Sequence, residues 1–146
     1  MADVVVETRG EVAWIRLNRP ERMNSYDAEM ARELITAVRG AADSGVIVIT
    51  GTGRAFCAGG YLANLQDPDA NALRSMFYGS LDVYESIRTS PRPVIAAVNG
   101  AAAGGGNELV VACDLAISAE RATFGQTGVR IGSAPVLGGT NFPHDP

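Results

Sequence analysis

The sequence holds little that could build a metal or redox centre. One histidine, His144, and two cysteines, Cys57 and Cys113, are present in 146 residues. The cysteines form no C-x-x-C pair, so a zinc site is not expected. Both thiols read as free and reduced, and as small buried hydrophobes rather than chemical groups. Basic charge is also scarce. Twelve Lys and Arg against sixteen Asp and Glu give a net charge of −4, which leaves no electrostatic case for nucleic acid. No apolar run approaches the roughly 20 residues that cross a bilayer. Met1-Ala2-Asp3-Val4 lacks the basic start and apolar stretch of a signal peptide. The expectation is a cytoplasmic protein with neither a membrane nor a nucleic acid as partner.

What remains is a chain that is 47% hydrophobic and 19% charged, enough apolar material for a core and too few charges for disorder. Its length fits one domain at roughly 100–200 residues each. Glycine is in excess, with 17 residues against a usual share of about 7%. Val4 to Thr8 and Val12 to Leu17 read as a hairpin. Met30, Leu34, Ile35 and Val38 fall at helical spacing, so a helix is expected near 28–42, with Asn24, Ser25 and Asp27 as start chemistry. Val46–Ile49 and Val94–Val98 are continuous apolar runs, typical of strands buried on both faces. Leu73, Met76, Phe77, Leu81, Tyr84 and Ile87 form a stripe that predicts a helix over 70–88. Residues 57–68 and 99–106 read as loops, 108–112 as a short helix, 115–118 as a strand, and the chain beyond Phe124 as loop. Strands alternating with helices predict an α/β fold. No internal sequence repeat is visible.

Two of the buried strands are each followed by a glycine-bearing loop. The first loop runs Gly51-Thr52-Gly53-Arg54-Ala55-Phe56-Cys57-Ala58-Gly59-Gly60, the second Asn99-Gly100-Ala101-Ala102-Ala103-Gly104-Gly105-Gly106-Asn107-Glu108. Neither is a nucleotide motif. Phe56 stands where G-x-G-x-x-G needs its third glycine, and Gly106-Asn107 replaces the Lys and hydroxyl residue of a phosphate loop. The other use of such loops is to aim bare backbone N–H groups at an oxyanion, where each is worth roughly 3–4 kcal/mol in a dry site. A helix starting near Gly105 adds its dipole in the same direction. Glu108, three residues on, shares that side of the first turn. A carboxylate would then lie beside a pair of N–H donors.

Asn18-Arg19-Pro20-Glu21-Arg22-Met23-Asn24, Gly53 through Gly60, and Asn99 through Leu109 with Ala112-Cys113-Asp114-Leu115 together resemble the enoyl-CoA hydratase/isomerase (crotonase) superfamily. The match runs from the first hairpin to about Asn141. The resemblance implies a ββα spiral core and acyl-CoA thioester chemistry, in which two backbone N–H groups hold the thioester oxygen and stabilise an enolate. The matching positions are Gly60 and Gly105, with Glu108 as catalytic acid/base. Ala58, Tyr61 and Leu62 would run beside the CoA and acyl chain, with Arg22 flanking the CoA. Gln126, Thr127 and Gly128 would be further substrate-binding positions. Coenzyme A enters as part of the substrate, and no other cofactor or metal is implied. Members assemble as homotrimers or hexamers through a C-terminal helical region. Here residues 1–141 read as the N-terminal core and 142–146 as an atypical tail, whose Pro143 and Pro146 cannot carry a helix onward.

The reaction is less narrowly indicated. Hydratases of this superfamily carry two glutamates, and the second position falls on Gly128. One carboxylate could both activate water and supply a proton in turn, or the vacancy could hold water or a small anion. Enoyl-CoA hydration is the leading expectation. Ring-opening oxo-acyl-CoA hydrolases and dihydroxynaphthoyl-CoA synthases are the alternatives, since Gln126-Thr127-Gly128 and Gly132-Ser133-Ala134 resemble theirs. A rival of another class is a non-catalytic remnant. Asp114 reads as a strand anchor rather than a reacting group.

Overall fold

A computed structural model of the chain describes residues 2–61, 69–131 and 135. The first hairpin is β1 (Val4–Arg9) paired antiparallel with β2 (Val12–Leu17). Helix α1 (Ala28–Gly40) follows, then β3 (Val46–Gly51), β4 (Ala55–Cys57), α2 (Ala70–Arg88), β5 (Val94–Val98), β6 (Ala101–Ala103), α3 (Gly105–Ala112), β7 (Leu115–Ser118) and β8 (Phe124–Gly125). Short 3-10 turns lie at Pro20–Arg22 and Gly128–Ile131. The order is β-β-α three times over, then a further strand pair. This is the spiral that the resemblance implies, repeated in structure with no matching repeat in sequence.

The strands sort into two sheets. β1-β2-β3-β5-β7 form the larger, parallel beyond the hairpin, and β4-β6-β8 form a smaller all-parallel sheet. From β3 onward each turn of the spiral places its first strand in the large sheet and its second in the small one. One core joins them. Ile15, Leu17, Met30, Ile47, Ile49, Phe56, Val94, Val98 and Leu109 are all essentially out of solvent. Among the described residues, no helix is long and apolar enough to cross a membrane.

The small sheet is where the structure departs from the sequence reading. β6 lies inside what read as a glycine-alanine loop, and β4 overlaps the start of the other loop. Both strands are only three residues long, and alanine is a poor strand marker. They form because tertiary pairing supplies what propensity does not. Helix α3 begins at Gly105, where the dipole reading placed it, so the short helix read over 108–112 extends three residues back into the loop.

The long helix has the predicted bounds but only part of the predicted face. Ile87 of the expected stripe is buried and Tyr84 packs against the core, but Phe77 and Leu81 are 38% and 41% exposed, and Ser80, Val83 and Ser86 are buried in their place. The serines escape the apolar pattern because their hydroxyls are satisfied inside. Ser86 donates to the Val83 carbonyl at 2.7 Å, and Ser80 shares a hydrogen bond with Tyr26. The side chains of Leu73 and Met76, the tail 142–146 and most of the segment after Ile131 lie outside the described residues.

Candidate active site

Two asparagines fix the ground on which the site stands. Asn24, fully buried at φ 55°, receives the Arg19 N–H on its Oδ1 at 2.9 Å. Its Nδ2 lies 2.9–3.2 Å from the carbonyl oxygens of Thr52, Ala55 and Phe56. Asn99 takes the Gly51 N–H at 3.0 Å and donates to Gly53 and Ala55 at 3.0 and 3.2 Å. Together they satisfy the short strand β4 and its turn, which have few sheet partners of their own. Of the three residues read as helix-start chemistry, Asp27 is the cap of α1, accepting from Glu29 and Met30 N–H at 3.1 Å each. Asn24 has this larger structural role instead.

The first glycine loop continues from β4 and bridges to Tyr26. The Tyr26 N–H donates to the Gly59 carbonyl at 2.9 Å, and the Tyr61 N–H donates to the Tyr26 carbonyl at 3.0 Å. In such a parallel bridge around Gly60, the flanking residues make the bonds. The N–H of Gly60 itself faces the other way. Ala58 is tied to the Met23 carbonyl at 3.0 Å. The Arg22 guanidinium lies over the Tyr61 ring, 4.4 Å from its centroid, so the two residues expected beside CoA touch each other. Leu62 lies outside the described residues.

The second loop meets the first at the start of α3. Gly59 has φ +90°, and a methyl group there would sit 2.8 Å from the Ala103 oxygen and 2.9 Å from the Gly105 nitrogen. One at Gly106 would collide with the Cys57 carbonyl. Only bare backbone lets the loops pack this closely. Gly105 is the first residue of α3, so its N–H has no partner within the helix, the first intrahelical bond being Glu108 N–H to the Gly104 carbonyl at 3.0 Å.

Glu108 sits on that same first turn and is only 4% exposed. Gln126 Nε2 donates to Glu108 Oε1 at 2.7 Å. Gln126 and Thr127 are themselves exposed, and their Oε1 and Oγ1 lie 3.9 and 3.8 Å from where a methyl on Gly104 would point. Gly128 opens the last 3-10 turn and brings no second carboxylate. So the structure gathers Gly59, Gly60, Gly105, Glu108, Gln126 and Thr127 around one corner. Chemically, this corner offers N–H donors at a helix start and a buried carboxylate beside them.

Other expectations resolve on the same geometry. Burial pushes the Cys57 thiol up to about 12, and burial followed by the Asp114 charge does the same for Cys113. Both stay protonated at neutral pH and are poor nucleophiles. Asp114 anchors neighbouring strands, accepting the Val94 N–H at 2.8 Å. Tyr26 and the pairing of Gln126 with Glu108 were not foreseen. The one available signal for Tyr26 was a bulky aromatic directly before the Asp27 cap.

Known proteins agree with this architecture. The family model described as enoyl-CoA hydratase/isomerase matches residues 7–144. A probable enoyl-CoA hydratase of Rhizobium meliloti is 39% identical over 142 residues, covering 94% of this chain and 54% of that protein. A probable enoyl-CoA hydratase of Rhodobacter capsulatus is 42% identical over 130 residues, covering 88% and 51% respectively. The solved enoyl-CoA hydratase of Bacillus halodurans superposes with a TM-score of 0.90 at 30% identity, covering 97% of this chain and 59% of that one. The chain thus spans about half the length of the curated relatives it matches. Its ββα spiral, its paired glycine loops and these matches place it in the enoyl-CoA hydratase/isomerase family.

Proposed function

We propose that the chain binds an acyl-CoA thioester and adds water to a 2-enoyl-CoA. The observation that carries this reading is the buried Glu108 carboxylate one helical turn from the Gly105 N–H, with the Gly59-Gly60 loop packed against that nitrogen. The N–H groups of Gly60 and Gly105 hold the thioester oxygen. Donors fixed in advance stabilise the charge that develops there without having to reorganise. Glu108 takes a proton from water as the water oxygen bonds to the β-carbon, and electrons shift onto the thioester oxygen. The enolate then collapses and takes that proton from Glu108 at the α-carbon. Water is consumed and the carboxylate is regenerated. Gln126 orients the carboxylate through its 2.7 Å hydrogen bond. Tyr61 and Arg22, with Ala58, flank the CoA. Thr127 and Gly128 are further substrate-binding positions, and Gly128 supplies no carboxylate. Coenzyme A is carried by the substrate, and no further cofactor is proposed.

The test is Glu108→Gln. Turnover of a short 2-enoyl-CoA is expected to fall about 10²–10⁴-fold, the usual share of a general acid/base, while acyl-CoA binding survives. Turnover equal to the parent chain would overturn the assignment.

A further inference from the structure

Tyr26 touches both proposed donor loops, by two different means. Its main chain makes the bridge around Gly60 through bonds of 2.9 and 3.0 Å to Gly59 and Tyr61. Its side chain crosses to α3. A methyl group on Gly105 would lie 2.5 Å from the Tyr26 Oη, 3.2 Å from Cζ and 3.4 Å from Cε1. The tip of the ring therefore occupies the space beside the Gly105 Cα. The ring is buried, and the hydroxyl is held by its hydrogen bond with Ser80 of α2. A side chain anchored on one helix and pressed against the first residue of another has little freedom to move. Its backbone, meanwhile, sets the edge from which the Gly60 N–H projects.

We propose that Tyr26 is a positioning residue that sets the separation of the Gly60 and Gly105 N–H groups, its main chain fixing the first and its ring the second. The inference rests on the oxyanion reading above. It also gives position 105 a reason to be glycine in this chain, because Tyr26 fills the place of a β-carbon. Burial, with a smaller push from Cys57, raises the phenol above its ordinary range. At neutral pH the hydroxyl is thus uncharged, and the role proposed for it is one of contact. Errors of an ångström in donor placement weaken transition-state binding while leaving ground-state binding nearly intact.

The probe is acetoacetyl-CoA, whose enolate absorbs in the near ultraviolet and whose total binding is measured separately by calorimetry. With Tyr26→Leu, binding is expected to stay within about twofold while the enolate signal per bound ligand falls about tenfold. Tyr26→Phe, which keeps the ring against Gly105, is expected to retain most of the signal. A folded Tyr26→Leu chain with the parental enolate signal would overturn the proposal. A second arm does not need the leucine variant to fold. Gly105→Ala is expected to erase the signal in the parent chain and to cost at least about threefold less in the Tyr26→Phe background, because contacting residues couple. Equal losses in the two backgrounds would also overturn it. If the parent chain binds acetoacetyl-CoA but forms no enolate, the oxyanion reading itself fails and this inference falls with it. A parental signal with unaffected Tyr26 variants removes only the role of Tyr26.

Discussion

The inner strands of the small sheet and the last strands of both sheets, β7 and β8, are built on opposite terms. β4 and the start of α3 are enclosed, with Ala55, Phe56, Cys57 and Gly106 all buried. Backbone presses on backbone there, and polar side chains bind the strand ends. β7 at the edge of the five-stranded sheet is exposed along its whole length, with Leu115 and Ile117 at 62% and 67%, and Phe124 of β8 is half exposed. The donor groups of the candidate site belong to the enclosed region, whereas Gln126 and Thr127 belong to the open one. Preorganisation is therefore concentrated on the side that would meet the oxyanion. The side that would meet the rest of the substrate is the more exposed one among the described residues.

The comparison can be broken most forcefully at Gly106. An alanine there would drive its methyl into the Cys57 carbonyl, with the Cys57 carbonyl carbon at 2.6 Å and Cβ at 2.9 Å. Backbone cannot yield as a side-chain tip can. Gly106→Ala is expected to cost about 3 kcal/mol or more, read as a lowered urea midpoint at unchanged slope. A loss below about 1 kcal/mol, at the low end for overpacking, would show that the enclosed layer is looser than its packing implies.

Asn24→Ala comes next. It leaves the Phe56 carbonyl without its Asn24 partner in the interior and removes the acceptor of the Arg19 N–H. It also places alanine at φ 55°, a conformation asparagine tolerates better. The expected cost is about 2–3 kcal/mol, since each buried group left unpaired costs about 1–3 kcal/mol. The Ala55 carbonyl retains its bond from Asn99 at 3.2 Å, which limits the damage. Thermal unfolding measured beside the parent chain checks it.

The same contrast explains what was legible in the residues. Val46–Ile49 and Val94–Val98 announce themselves because a central parallel strand must be apolar on both faces. Residues 70–88 read as a helix because the apolar residues from Leu73 to Ile87 recur at helical spacing. The enclosed strands were hidden by their length. Ala101–Ala103 and Ala55–Cys57 are only three residues each, too short to leave a periodic signature. Gly105 is a poor helix former, and only packing makes it a helix start. Glu108 was legible as a candidate because its spacing from Gly105 is one helical turn. Its hydrogen bond with Gln126 spans 18 residues, and no local pattern reports a contact of that range. Ser80 and Ser86 misdirected the face of α2 because satisfied serines look like solvent positions in a sequence.

Gln126→Leu probes the open side where it touches the buried carboxylate. Turnover of a 2-enoyl-CoA is expected to fall about tenfold, corresponding to about 1.4 kcal/mol, near the low end for a hydrogen bond to a charged group. Stability should fall by about 1 kcal/mol, the low end for a buried group that loses a partner, because Gln126 itself is exposed. Loss of activity out of proportion to loss of stability is the pattern that separates orientation of Glu108 from support of the fold. If stability fell by as much as it does in Asn24→Ala, the two sides of the site would not differ in the way proposed.

The smallest effect is expected at the edge itself. Ile117 pairs with Ala97 in the β5–β7 ladder, yet its side chain is 67% exposed. Threonine keeps the branched β-carbon that a strand favours and gives up little burial. At about 25 cal/mol per Å² of apolar surface removed from water, a side chain mostly in solvent contributes little to folding this chain. Ile117→Thr should therefore leave the thermal midpoint nearly unchanged, with a stability difference within about 0.5 kcal/mol. A loss of 2 kcal/mol or more, the range for a buried aliphatic (about 1.5–3 kcal/mol), would mean that β7 is covered in solution. The edge would then be a second enclosed region rather than an open one.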